Sequence, residues 1–244
     1  MRAISYNLRE HKARGELEAL AQDYEVDLLC LQECDASDLP DVVGGLQLAT
    51  ATKENRLGLA LYYRRSRFDM VRADAFSLKK SLHDRVLTPA HERLIGVKLL
   101  DLETDHTLVA GSFHAAPLTA SNSLRRHQIN AAHIELLGMG KSIATLMVGD
   151  FNYPFFTRNL TARMNESGYD LSLSDKRTYT RGMFFRGHFD FATSRGLDIQ
   201  KVETLPRGAS DHLPILVLAD YRNGNDDDGE GDGKGHDAAP KSVG

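Results

Sequence analysis

Between Arg2 and Leu218 the chain is built from short apolar runs, each about the length of one strand, and several follow one another with no helical stretch between them. The runs are residues 2–7, Val26 to Leu31, Leu57 to Tyr63, Arg93 to Leu100, Leu108 to Phe113, Ile143 to Val148, Phe189 to Thr193, Ile199 to Leu205 and Leu213 to Leu218. Polar or turn-forming residues bound them, which reads as strand rather than helix. Helical spacing is confined to three places. One is Gly15 to Tyr24, through Leu17, Leu20 and Ala21; another runs from a cap at Ser121 or Ser123 through Leu124, Ile129, Ala132, Leu136 and Leu137; the third is Asn159 to Ser167. Consecutive strands with few helices predict packed sheets rather than an alternating parallel fold. The basic, apolar-poor stretch from Lys79 to His91 reads as a long loop, and no internal repeat is present.

A chain of 244 residues, 41% hydrophobic, can bury a sizeable core as one large domain or two small ones. No stretch approaches the roughly 20 apolar residues of a membrane span. The chain enters a strand-like segment at Ala3 without the basic and apolar regions of a signal peptide, so the expectation is a soluble, cytoplasmic protein. Residues 222–244 are rich in Gly and Asp and carry six acids against three bases, predicting a disordered acidic tail. Without them the body holds 27 basic and 28 acidic residues, and this near-neutrality neither requires nor excludes a polyanionic substrate. Cys30 and Cys34 lack a second Cys or His pair beside them, which argues against a closed zinc site and for reduced thiols.

The chemistry gathers where the apolar runs end. Met147-Val148-Gly149-Asp150-Phe151-Asn152 breaks at a glycine and presents a carboxylate and a carboxamide two residues apart, which in extended backbone share one side. Alone, Gly-Asp after a strand is a common turn. Together with the other polar residues at the ends of runs, Asn7, Glu33, His114, Asp190, Asp211 and His212, the pair completes an inventory suited to binding a hard cation and moving protons. Glu33 and Asp211 are the oxygen donors a cation would prefer, and this set favours Mg2+ or Mn2+ over zinc.

Ser5-Tyr6-Asn7, Leu31-Gln32-Glu33, Ser112-Phe113-His114, Gly149-Asp150-Phe151-Asn152, Phe189-Asp190-Phe191 and Ser210-Asp211-His212 stand in an order and spacing that resembles the endonuclease/exonuclease/phosphatase superfamily over residues 2–219. The combination is far more specific than any single motif. The resemblance implies an α/β (α+β) four-layer αββα sandwich, two mixed sheets packed face to face with helices outside and the site at one edge. It implies one such domain over residues 1–221, a Mg2+ or Mn2+ cofactor, and hydrolysis of phosphoesters by water. It makes Glu33 the main metal ligand with Asn7 and Asp211 nearby, and Asp150 the group that activates or aligns the water. Asn152 would orient the water or the phosphate, while His114 and His212, the latter held by Asp190, would contact the phosphate. Arg125-x-x-Gln128 looks like a structural feature of the family.

Arg9 stands where abasic-site endonucleases usually carry an Asp, and Arg186-Gly187-His188 stands where they place an aromatic before the position of Asp190. The two histidines look closer to the pancreatic-type deoxyribonuclease and sphingomyelinase branches. Two substrate classes follow. A nuclease would use Lys79, Lys80, Arg85, Arg181 and Arg186 against the phosphate backbone, with Phe184 and Phe185 for stacking in a chain that has no Trp. A phosphatase or phosphodiesterase of a lipid or small phosphorylated metabolite would share the core and differ in these loops. Nucleic acid is the expected partner, on a monomer, with Arg181 and Arg186 as substrate-binding residues. A catalytically silent binding module is disfavoured because every core motif is present.

Overall fold

A computed structural model describes residues 1–53, 57–79, 92–153, 157–181 and 185–222. One seven-stranded sheet contains β1 (Arg2–Asn7), β2 (Leu28–Cys34), β3 (Val42–Val43), β4 (Leu46–Ala51), β5 (Gly58–Tyr63), β14 (Leu197–Thr204) and β15 (Ile215–Tyr221), in the spatial order β14-β15-β1-β2-β5-β4-β3. A six-stranded sheet contains β6 (Phe68–Ser77), β7 (Glu92–Asp101), β8 (His106–His114), β9 (Ala144–Asp150), β10 (Asp170–Leu173) and β13 (Asp190–Arg195), in the order β10-β13-β9-β8-β7-β6. A small ribbon pairs β11 (Tyr179–Arg181) with β12 (Phe185–Gly187). Three α-helices, α1 (Leu17–Asp23), α2 (Asn122–Gly138) and α3 (Thr157–Glu166), and two 3-10 turns, Arg14–Glu16 and Ala36–Asp38, complete the described fold.

Each sheet is mixed in the same way. Its central pair is parallel, β1 with β2 and β8 with β9, and its other pairings are antiparallel. A parallel pair needs a crossover, which α1 and α2 supply in the two sheets. Strand alternation then sorts the side chains into layers. Ala3, Leu28, Cys30, Leu108, Ala110, Leu146 and Val148 pack between the sheets. Ile4, Leu29 and Leu31 face outward with Leu17 and Ala21 of α1, whereas Val109 and Met147 face the other way with Ile129, Ala132 and Leu136 of α2. The expected four layers are therefore present.

Ser121 caps α2, its Oγ accepting the Leu124 N–H at 3.2 Å. Arg125, Gln128 and His133 are nevertheless buried on this helix, so its inner face is less apolar than its spacing implies. Strand β6 escapes a reading by alternation because it is a sheet edge with six of its ten residues exposed, and its pairing with β7 shifts register at Met70/Arg72 and at Phe76/Ser77. At one end of the sandwich Arg67 ties the sheets together, reaching Asp27 at 3.1 Å and Asp101 at 3.1 Å. Cys30 and Cys34 are free, buried thiols, pushed up to about 12 by burial. Lys80, Arg85 and the rest of 80–91 lie outside the described residues, as does 223–244. Among the described residues no helix is long and apolar enough to cross a membrane.

Candidate active site

The carboxyl ends of both central parallel pairs open on one edge of the sandwich, the edge where ligands bind in many open α/β sheets. Asn7, Glu33, His114 and Asp150 stand at those ends. Asp190 begins β13, antiparallel to β9, and His212 precedes β15, antiparallel to β1, so both arrive at the same edge. Alternation also aims the groups. The inward face reads Ala3, Ser5, Asn7 along β1; Ala110, Ser112, His114 along β8; and Leu146, Val148, Asp150 along β9.

Two residues break this rule. Glu33 has φ 52°, and the pairing of β2 with β5 shifts register between Gln32 and Cys34. This bulge turns the strand, leaving Cys34 in the outer α1 layer rather than the layer of Cys30, and re-aims the Glu33 carboxylate. Glu33 Oε2 accepts the Glu10 N–H at 3.0 Å, and Oε1 lies 3.9 Å from His114 Nε2. Asn152 has φ 49°, so the expectation that Asp150 and Asn152 share a side through extended backbone is corrected. A left-handed turn brings them together, with Asn152 N donating to Asp150 Oδ1 at 2.9 Å and Nδ2 donating to Asp150 Oδ2 at 3.2 Å. Gly149 allows β8 and β9 to approach beside this turn. A Cβ there would lie 1.9 Å from the Phe113 carbonyl oxygen, at φ 155°.

Asp150 Oδ2 is the centre of the arrangement. It accepts from Asn7 Nδ2 at 3.0 Å and lies 3.6 Å from His114 Nε2 and 3.8 Å from His212 Nε2. His212 Nδ1 sits 2.8 Å from Asp190 Oδ2. Burial alone would strip the His212 proton, but Asp190, Asp150, the bond to Asp190 and Asp211 together hold it up to about 10. Burial pushes Asp150 up to about 7, opposed by His212 and reinforced by Asp190 and Glu33. At neutral pH the site thus combines an imidazolium with a carboxyl group poised between its two forms, the pairing that proton transfer needs.

The donor set fits a hard divalent cation. Among the described residues Asp190 Oδ1 is buried without a hydrogen-bond partner, and carboxylate oxygens of Asp150 and Asp190 lie within 4.8 Å of each other, whereas His212 as an imidazolium offers a metal no lone pair. Of the expected ligands, Glu33 and Asn7 line the same mouth, while Asp211 is turned toward Arg9, whose Nε is 3.8 Å from its Oδ1. Asn7 Oδ1 accepts the Arg9 N–H at 2.9 Å. Arg181 and Arg186 lie in the β11–β12 ribbon, and their side chains fall outside the described residues, as do Phe184 and Phe185.

Sequence reasoning did not identify Thr178, which is fully buried beside the His212–Asp190 pair. Its Oγ1 accepts the N–H groups of Phe189 and Asp190, both at 3.0 Å, and its carbonyl accepts the Leu213 N–H. Nothing in a lone Thr ahead of Tyr179 signals this, because its partners are 11 or more residues away. Ser210 Oγ donates to the Asn7 carbonyl at 2.7 Å and accepts the His212 N–H at 3.1 Å, tying the loop of His212 to β1.

The chain matches the Endonuclease/Exonuclease/phosphatase family over residues 4–212. Among solved structures it is similar to a mannosyl-6-phosphatase from Bacteroides thetaiotaomicron, at 18% identity and a TM-score of 0.71, covering 91% of this chain and 100% of that one. The human Nocturnin catalytic domain with bound sulfate superposes at 17% identity and a TM-score of 0.72, covering 91% and 94%. TDP2 from D. rerio, complexed with single-strand DNA product, gives 14% identity and a TM-score of 0.69, covering 91% and 99%. At these identities the likenesses show a shared fold. No curated protein matches the sequence.

Proposed function

The chain belongs to the endonuclease/exonuclease/phosphatase family, a superfamily of phosphoesterases, and from that premise we propose that it hydrolyses phosphodiester bonds, acting as a nuclease on DNA or RNA with Mg2+ or Mn2+. The observation that carries this reading is the surround of Asp150 Oδ2, where two amides and two imidazoles converge on one carboxylate oxygen. Asp150 takes a proton from the attacking water, and Asn152 orients it. His212, held protonated by Asp190 and Asp150, donates to a nonbridging phosphate oxygen or to the leaving oxygen as charge builds there. His114 approaches the same oxygens from the other sheet. Glu33 and Asn7 would hold the cation, and Asp211 would join them by leaving its ion pair with Arg9; when bound, the cation supplies further positive charge to the phosphate.

Among the neighbours, the protein crystallised with single-strand DNA product is in keeping with a nuclease, and Arg9, half-exposed beside Asn7 and paired with Asp211, is a cation for which a phosphate backbone would compete. A phosphatase of a small phosphorylated metabolite is the second reading, favoured by the mannosyl-6-phosphatase neighbour. A panel of single-stranded DNA, duplex DNA, RNA, inositol phosphates, sugar phosphates and sphingomyelin, each with Mg2+ and with chelator, tests the proposal. Turnover of a nucleic acid is expected. Turnover of sugar phosphates alone would replace the first reading with the second, and no metal-dependent turnover of any phosphoester would refute both.

A further inference from the structure

Half of the site is carried by the seven-stranded sheet, through Asn7, Glu33 and His212, and half by the six-stranded sheet, through His114, Asp150 and Asp190. The layer between the sheets is mostly aliphatic. Apolar burial is non-directional, so it presses the sheets together without fixing how one sits over the other. Reaction geometry is far less forgiving. Polar contacts at the mouth, Asn7 to Asp150 and His212 to Asp190, are made by the site's own groups, which must also serve the substrate.

One step behind the mouth lies a polar chain with no part in the chemistry above. Gln32 Nε2 donates to Ser112 Oγ at 3.0 Å, Ser112 Oγ donates to the Leu31 carbonyl at 3.1 Å, and Ser5 Oγ donates to Gln32 Oε1 at 3.3 Å. All three side chains are fully buried. Gln32 Nε2 also reaches the Cys30 carbonyl at 3.3 Å, so the amide is engaged at both ends. Each member is joined to a site residue by its own strand: Ser5 lies two residues before Asn7, Gln32 one before Glu33, and Ser112 two before His114. Hydrogen bonds in this interior are directional and leave a costly orphan if the sheets slide.

We propose that Gln32, with Ser5 and Ser112, is a positioning bridge that sets the register of one sheet over the other and so holds Asn7 and Glu33 against His114 and Asp150. The inference rests on the phosphoesterase reading for its kinetic consequence and on geometry for its structural one. The test compares wild type, Ser112→Ala, Gln32→Met and the triple variant Ser5→Ala/Gln32→Met/Ser112→Ala. The single variants strand buried polar groups and lose stability. The triple removes the chain's side-chain polar groups together, and such all-apolar replacements are often nearly neutral in stability. Melting temperature is read beside kcat and KM on bis(p-nitrophenyl) phosphate with Mg2+, and beside the His114 and His212 ring signals in long-range 15N–1H spectra of the Mg2+-loaded proteins.

The triple variant is expected to regain most of the melting temperature lost by the singles while kcat stays roughly 10- to 100-fold down. KM should change little, and the two histidine ring signals should broaden or double. Recovery of kcat together with stability, with sharp wild-type ring signals, would overturn the proposal and leave the chain a merely structural contact. If the triple does not fold, Ser112→Ala decides: wild-type kcat and ring signals in that variant overturn the bridge. Absence of phosphodiester turnover in the wild type would count against the proposed function, and the ring signals would still judge the bridge.

Discussion

Substituting Gly149 by Ala should be among the most damaging small changes the chain can suffer. The added Cβ would stand 1.9 Å from the Phe113 carbonyl oxygen, 2.8 Å from its carbon and 2.9 Å from the Phe113 nitrogen. All three are backbone atoms of the neighbouring parallel strand, so no side chain can rotate away. Relief requires β8 and β9 to separate at the Phe113–Gly149 pair, next to the His114–Asp150 pair. Overpacking of this kind costs about 1–3 kcal/mol, and holding a residue with a side chain at φ 155° adds about 1–3 kcal/mol. The central expectation is about 4 kcal/mol, a large share of the roughly 5–15 kcal/mol by which domains are stable. Urea unfolding with an unchanged m-value measures it. The variant should also lose more turnover than its folded fraction explains, because Asp150 follows directly. A loss below about 1 kcal/mol with wild-type activity would refute the reasoning.

Asp150→Asn and His212→Ala should each lower kcat by about two to four orders of magnitude, and the double variant should lose less than the product, since both act on one transition state; fully multiplicative losses in steady-state assays would separate their roles. Glu33→Gln should keep the melting temperature yet weaken Mg2+ binding by calorimetry, and chelator should abolish turnover; unchanged affinity would remove Glu33 from the ligand set. In the pH profile of kcat/KM, activity should rise as the Asp150 carboxyl, pushed up to about 7, ionises, and fall as His212, held up to about 10, loses its proton. The raised His212 also stabilises the fold fully below about pH 6.5 and stops doing so as pH rises through about 10, a decline visible in alkaline unfolding scans and missing from His212→Ala. His133 is buried against Tyr169, and burial lowers it to about 3; the unfolded chain therefore takes up a proton that the folded one refuses between about pH 6.5 and about pH 3. Stability should fall with pH across that window, and His133→Gln should flatten the acid limb of the unfolding curve.

Much of this protein is decided locally. Runs of strand length, a capped helix after His114 and polar residues at the ends of the runs depend on alternation, spacing and turn chemistry within a few residues, and these are written in the sequence. Ordered along the chain, the motifs around Asn7, Glu33, His114, Asp150, Asp190 and His212 therefore carried both the four-layer fold and the composition of the candidate site. Edge strand β6 was not legible, because most of its residues are exposed and two register shifts against β7 break any period-two pattern. Nor were the two turns that finish the site: the positive φ of Glu33 and of Asn152 comes from a bulge against β5 and a turn closed onto Asp150, and neither residue type announces it. The elevation of Asp150 and His212 likewise needs burial together with charges that, Asp211 apart, lie 22 or more residues away along the chain. Which polar residues end the strands is a property of the sequence, whereas their distances, protonation and aim belong to the packing of one sheet on the other, which only contacts between distant segments can set.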